Sequence, residues 1–444
     1  MKLEVIVFKE FLNARHLAWH ILIALALAII VAALIRWRIS NAETLTTITS
    51  WIGIFGTLFI NALKMVVVPL VFAAIAVGVA GMASQKSFGR IGSKTIALYL
   101  VTGFIAIFTG LILVNVIQPG NMQIENAQAL VDSIEGTDAQ SNMAARIEGR
   151  SWWDLVQIIV RAVPPNIFDA LTNNGGLLAI IFVAVVFGFF TTRLTGAVRE
   201  TIDNLWQGMY DVTIAVTLWI IRFAPIGVFA LVTVIIVGTG FSAFKPLFWF
   251  VLTVLLALAL HFFVWLPLMQ VFLARVNPFK YYGKVAKAQL TAFSTASSSA
   301  TLPVTIESAQ DAGVSKRTSS FVLPLGATVN MDGTALYECV VVIFIAQIYS
   351  VVSGVEFGFI EQLLVVLLAL VTSIGVAGVP AASLVAITLI LGVLELPAEW
   401  LAIILAVDRI LDMCRTSTNV TSDLTIAAIV ARSEGEELPE VRAA

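Results

Sequence analysis

A chain of 444 residues that is 59% hydrophobic and only 12% charged, with a mean hydropathy of +0.97, lies outside the range of soluble globular domains and reads as an all-α polytopic membrane protein. Its net charge of −2 is uninformative, and no nucleic-acid partner is expected. Two cysteines, Cys339 and Cys414, exclude a disulfide framework or a cysteine metal site.

Residues 1–15 carry charges of both signs, and the first apolar run lacks a small-residue cleavage site, so the first span is expected to be retained. Runs of spanning length follow at 17–35, 51–82, 95–117, 177–190, 201–237 and 247–273, then at 314–349, 357–394 and 396–430. Lys2, Lys9 and Arg15 before the first run, Lys86, Arg90 and Lys94 after the second, and Arg275, Lys280, Lys284 and Lys287 after the sixth mark cytoplasmic loops. Both termini are therefore expected in the cytoplasm, and the acidic stretch 118–150 outside. His16, His20 and His261 show no ligand spacing and are read as packed or interfacial residues.

The last third is built differently. FSTASSSATLP at 293–303 and VTSIGVAGVP at 371–380 are small-residue interruptions ending in proline, and neither suits an unbroken spanning helix. Two such breaks in corresponding positions point to an inverted-repeat transporter with its site where the repeats meet. Freed amides at half-helix ends suit an anionic carboxylate, and unwound carbonyls suit a small cation.

Two constellations follow the breaks. Asn330, Asp332 and Thr334 surround Gly333, where the helix is expected to unwind; their amide and carboxylate oxygens suit an alkali cation. Asp408, Asp412, Arg415, Asn419 and Asp423 recur at i, i+4, i+7, i+11 and i+15, so at roughly 100° per residue they share about 80° of one helix face. Each charge costs about 2.5 to 3.5 kcal/mol at a bilayer centre, whereas an aliphatic neighbour returns only about 0.3 to 0.6. That face cannot meet lipid. With Asn419 and Asp423, the first constellation makes an oxygen-only set fit for sodium, the alternative being an Asn–Asp network that merely joins helices.

SSSATLPVT at 297–305, NMDGTALYE at 330–338, GVAGVP at 375–380 and DMCRTSTNVTSD at 412–423 resemble the glutamate transporter family, the dicarboxylate/amino acid:cation symporters. NALKMVVVPLVF from Asn61 and VNVIQPG from Val114 extend the similarity over most of the chain. The resemblance implies a homotrimer with eight transmembrane helices, two re-entrant hairpins and an elevator mechanism in the cell membrane. Scaffold helices 1 and 2 would lie at 17–82 and the trimerisation helices 4 and 5 at 151–238. Helix 3 at 93–117 and residues 246–432 (helix 6, hairpin 1, helix 7, hairpin 2, helix 8) would form the transport domain.

The resemblance also implies roles. Arg415 would hold a side-chain carboxylate and Asp412 the α-ammonium group. Asn419, Thr334 and Thr416, with the Ser297, Ser298 and Ser299 tip and Val379, would hold the α-carboxylate and close the site. Gly326, Asn330, Asn419 and Asp423 look like one sodium site, Thr328 with carbonyls near Ser373 and Ile374 like a second, and Tyr99, Thr102, Asn330 and Asp332 like a third. Glu338 is expected to carry a coupled proton, unless it forms a fixed ion pair with Arg415.

Departures bear on the number of ions. Gly103 replaces a hydroxyl residue of the third sodium site, which leaves two or three sodium ions. Ala296 and Met413 stand where family members carry arginines, which leaves potassium antiport open. Retention of both Arg415 and Asp412 favours glutamate or aspartate. A proton-coupled glutamate or C4-dicarboxylate symporter is the alternative, with an anion channel as a side activity. An intramembrane hydrolase on the serine run lacks a positioned base, so no enzymatic activity is expected.

Overall fold

The computed structural model describes residues 20–21, 23–39, 41–84, 88–135, 160, 163–168, 177–240, 244–375, 382–394, 396 and 400–438. The fold is helical throughout these residues, as an all-α reading requires. Residues 23–38 form a helix ahead of α1 (Ala42–Ser84), α2 (Ser93–Ile117) and α3 (Ile124–Glu135). After these come α4 (Leu177–Thr191), α5 (Gly196–Ile221), α6 (Ala224–Thr239) and α7 (Phe244–Leu260).

Among the described residues four helices are long and apolar enough to cross a membrane: Glu43–Ala62, Arg90–Ile117, Lys245–Ala274 and Lys316–Ser353. A fifth exists if α5 and α6 count as one span. The run at 201–237, continuous in sequence, is bent by 52° between these two helices. Pro225 in the first turn of α6 begins the new helix where a missing N–H costs nothing.

α7 continues to residue 274 through two π turns. In the first, the Leu266 N–H reaches back five residues to the His261 carbonyl. Pro267 follows and has no N–H to give, and the neighbouring Phe262 carbonyl instead accepts from the Tyr282 hydroxyl at 2.6 Å.

The first serine-rich interruption is a hairpin. α8 (Pro278–Thr295) begins with Asn277 capping Phe279 and Lys280, and ends at Ala296 with φ +50°. Ser297 then caps α9 (Ser298–Asp311) by accepting from the Ala300 N–H. The second interruption joins α12 (Phe359–Gly375) to α13 (Ala382–Val393), and its tip, with Val379, lies outside the described residues.

α10 (Lys316–Val329) and α11 (Asp332–Ser353) are separated by Asn330 (φ −104°, ψ 79°) and Met331 (φ −111°, ψ 60°). The helix therefore breaks before Gly333, which sits inside the first turn of α11. That glycine serves close approach instead of unwinding: a Cβ there would stand 2.7 Å from the Arg415 carbonyl oxygen.

α11 is buried on nearly every side, as expected of a helix apolar all round. It packs on α2, α12 and α14 (Leu401–Ser433), while α14 also contacts α7, α8, α9 and α10. α1 packs mainly on α4, α5 and α6. At the end of α14, Glu434 accepts from Arg90 and Lys94 at the start of α2, and Glu436 accepts from Ser315 and Thr318 at the start of α10. Glu434 is pulled down to about 2, below the usual carboxylate range, by the hydrogen bonds from Arg90 and Lys94.

Candidate functional site

The stripe on α14 faces the protein interior. Asp408, Asp412, Arg415, Asn419 and Asp423 are all buried, Arg415 completely. The Arg415 guanidinium lies 3.8 Å from the centre of the Tyr337 ring on α11. Its Nη2 donates to Asp412 Oδ1 at 2.9 Å and Asp408 Oδ1 at 3.2 Å, and the Tyr337 hydroxyl donates to Asp408 Oδ1 at 2.9 Å. Asp412 Oδ2 also lies 3.7 Å from Arg409.

Arg415 Nε and Nη1 are buried without a hydrogen-bond partner among the described residues. A buried charged donor left unmade costs more than the ~1 to 3 kcal/mol of a neutral one, so this arrangement suits an incoming anion. Each edge of a guanidinium that takes a carboxylate in two parallel bonds includes Nη2. A bidentate anion must then share that nitrogen with Asp408 and Asp412.

Asn419 ties α14 to the first turn of α11. Its Oδ1 accepts from the Gly333 and Thr334 N–H groups at 2.7 and 3.3 Å, and its Nδ2 donates to Thr334 Oγ1 at 3.1 Å. The amide thus caps a helix on another segment, satisfying donors that α11 cannot pair internally. Thr416 returns its hydroxyl to the Asp412 carbonyl at 2.8 Å. At the hairpin tip Ser297 and Ser298 are buried and Ser299 is exposed.

Of the residues expected to hold sodium, Thr102, Asn330, Asp332 and Asp423 are joined in one network that includes Ser422, whereas Asn419 bonds to Gly333 and Thr334 and the Tyr99 hydroxyl donates to the Val322 carbonyl at 2.6 Å. Asn330 Nδ2 donates to Asp423 Oδ1 at 2.8 Å and to Ser422 Oγ at 3.0 Å, while Thr102 Oγ1 approaches Asn330 Oδ1 at 3.2 Å. A Cβ on Gly326 would meet Asp423 Cγ at 2.7 Å and Tyr99 Oη at 2.9 Å, so only glycine lets α10 come this close. Asp332 accepts from Ser422 Oγ at 2.6 Å through Oδ2, and its Oδ1 is buried with no partner.

These donors are hard oxygens and fit an alkali cation; among the described residues no cluster of three or more His, Cys, Asp or Glu suits another metal. The second group is not joined by hydrogen bonds: Thr328 Oγ1 returns to the Leu325 carbonyl and Ser373 Oγ to the Leu370 carbonyl. The side chain of Ile374 lies outside the described residues.

Glu338 is fully buried on α11. Its Oε2 accepts from Thr372 Oγ1 at 2.7 Å and its Oε1 has no partner among the described residues. Arg415 is engaged by two aspartates instead, so the fixed Glu338–Arg415 ion pair is not the arrangement observed.

Four contributors carried no assigned role in the sequence reading. Asp408 stood on the stripe, and Ser422 lies about 20° beyond its edge; Tyr337 follows Thr334 by one helical step, a periodicity that points at it. His261, read as a packed residue, instead places Nε2 3.0 Å from Asp332 Oδ2, 71 residues away, a contact no local pattern announces.

The sodium:dicarboxylate symporter family model matches residues 17–433. The proton/sodium-glutamate symport protein of Geobacillus stearothermophilus is 36% identical over 423 residues, covering 95% of each chain. The proton/glutamate-aspartate symporter of Escherichia coli K12 is 35% identical over 421 residues, covering 94% of this chain and 93% of its own. Excitatory amino acid transporter 3 of Homo sapiens is 31% identical over 472 residues, covering 98% of this chain and 88% of its own.

Proposed function

From the premise that this chain belongs to the sodium:dicarboxylate symporter family, we propose that it is a secondary transporter that takes up glutamate or aspartate together with sodium and a proton. The observation that carries this reading is Arg415, completely buried beside Asp408 and Asp412 with two nitrogens unpaired among the described residues. A guanidinium selects a second carboxylate, and the adjacent aspartates select an ammonium group; an acidic amino acid offers both.

Asp412 takes the ammonium group, and Asn419, Thr334 and Thr416 take the α-carboxylate under the Ser297–Ser298–Ser299 tip and Val379. Gly326, Asn330, Asn419 and Asp423 hold one sodium ion. The Thr328, Ser373 and Ile374 group holds a second once the hairpin tip closes, and Tyr99, Thr102, Asn330 and Asp332 contribute to a third position that Gly103 weakens. Glu338, hydrogen-bonded to Thr372 and free of Arg415, carries the proton.

Residues 93–117 and 246–432 move as an elevator against a trimeric scaffold of 17–82 and 151–238, in a cell membrane with both termini cytoplasmic. Supporting this division, α2 and α7 to α14 pack largely among themselves, and α1 packs mainly on α4 to α6.

Uptake of radiolabelled aspartate and glutamate into proteoliposomes, with sodium, proton and potassium gradients imposed one at a time, tests the reading. Concentrative uptake that collapses on sodium replacement is expected. Flux that follows only the membrane potential, with no accumulation, would instead favour a channel.

A further inference from the structure

His261 is a polar side chain deep in a long apolar helix, 0% exposed, and among the described residues its side chain makes one polar contact, Nε2 to Asp332 Oδ2 at 3.0 Å. Its Nδ1 is buried without a partner among those residues. Burying an imidazole in apolar surroundings is unfavourable unless its polar atoms are used, so the bond to Asp332 is the feature that accounts for a histidine here. With a carboxylate as acceptor, Nε2 is the nitrogen that donates.

The backbone aims it there. His261 opens the first π turn of α7, where the Leu266 N–H bonds to the His261 carbonyl five residues back. Such a turn shifts the helix register locally and redirects the side chain at the bulge.

Asp332 Oδ2 then holds two hydrogen bonds, from His261 and from Ser422 Oγ at 2.6 Å, whereas Oδ1 holds none among the described residues. The orientation of the carboxylate follows. Oδ1 faces α2, lying 3.7 Å from where a Cβ on Gly103 would stand, beside Thr102, whose hydroxyl approaches Asn330 Oδ1.

We propose that His261 is a positioning residue for cation binding: by anchoring Asp332 Oδ2 it presents Oδ1 as the single carboxylate oxygen for a sodium ion held with Asn330 and Thr102. This rests on the reading of Asp332 as a sodium ligand. Because Gly103 supplies no hydroxyl, fewer neighbours restrain that ion and the set depends more heavily on the fixed carboxylate. With the His261 bond gone and Ser422 the one remaining anchor of Oδ2, the carboxylate is less restrained about its terminal bond, Oδ1 is correctly aimed for less of the time, and affinity falls accordingly.

The test uses full-length protein with His261→Leu, which removes the bond, and His261→Gln, whose amide N–H can replace Nε2. Sodium-dependent protection against thermal unfolding is measured in detergent, and uptake in proteoliposomes is titrated separately in sodium and in aspartate. His261→Leu is expected to raise the half-maximal sodium concentration about tenfold in both assays, with the aspartate KM at saturating sodium within about twofold of the parent. His261→Gln should stay within about threefold for sodium.

Should His261→Leu fail to fold, His261→Met, which likewise removes the bond to Asp332 and fills the space with a flexible apolar chain, is read by the same criteria. A sodium titration unchanged in His261→Leu, or equally impaired in His261→Gln, overturns the proposal. If the parent protein itself shows no sodium response, the transport reading fails first, and that result is visible without any variant.

Discussion

Replacing Gly333 by alanine tests whether the approach of α11 to α14 builds the substrate site. The new Cβ would lie 2.7 Å from the Arg415 carbonyl oxygen, 3.1 Å from the Arg415 Cα and 3.1 Å from Asn419 Oδ1. Two of these atoms are backbone, and the first falls about 0.7 Å short of ordinary contact, so the helices must separate instead of a side chain swinging aside. Overpacking of this kind costs about 1 to 3 kcal/mol, set against a gain of about 0.5 to 1 from replacing a helical glycine. The strain falls on the hydrogen bonds from Gly333 and Thr334 to Asn419, which join the two halves of the site.

If about 1 to 2 kcal/mol of it reaches the bound state, aspartate affinity at saturating sodium drops roughly 5- to 30-fold. Titration of purified protein by calorimetry or thermal shift reads this directly. Gly208→Ala is the control: that glycine is exposed on α5 with nothing within 4 Å of a Cβ, and its replacement should leave affinity unchanged and stability equal or higher. Gly333→Ala binding aspartate within twofold of the parent would refute the argument.

Arg415→Cys should abolish acidic amino acid uptake and admit neutral substrates; proteoliposome uptake of aspartate at normal KM would remove the carboxylate-clamp role. Glu338→Gln should remove the pH dependence of net uptake while leaving substrate exchange, and a persisting pH profile in the net-flux assay would make the residue structural. Glu434→Gln should lower Tm at neutral pH by releasing Arg90 and Lys94. The folded value of Glu434 is depressed to about 2, so its contribution is present above the ordinary carboxylate range and lost as pH falls towards that value. The Tm difference between parent and variant should accordingly shrink on acidification; a constant difference would show that the ion pairs are not its source.

The polar stripe was legible because a single helix carries it, and a 3.6-residue period converts sequence spacing directly into a shared face. The first interruption was legible because a serine run ending in proline does not belong in a plain spanning helix; most of the second lies outside the described residues. The break between α10 and α11 was misplaced because Gly333 looked like a hinge, whereas glycine is needed there for contact with the Arg415 carbonyl and the turn is made by Asn330 and Met331. The bend between α5 and α6 was hidden within a uniformly apolar run. His261 was beyond local reasoning: its partner is 71 residues away, and the π turn that aims it comes from how Pro267 disturbs the helical hydrogen bonds.

The charges around the site account for coupling in physical terms. Asp332, Glu338, Asp408, Asp412 and Asp423 are buried, and the guanidinium groups near them are the buried Arg415 and the half-buried Arg409. An uncompensated ion removed from water costs several kcal/mol even after relaxation. Each excess carboxylate therefore needs its charge compensated whenever the site is closed. An amino acid with two carboxylates and one ammonium group adds a further negative charge, so its arrival alone makes closure harder. Positive cargo reverses this, and because sodium and proton neutralise the same kind of group, carboxylates that keep their protons reduce the number of sodium ions needed. In the proposed reading that division falls to Asp332 and Glu338, each with one oxygen unpartnered among the described residues: the first is oriented by His261 and Ser422 towards α2, the second is held by Thr372 apart from Arg415.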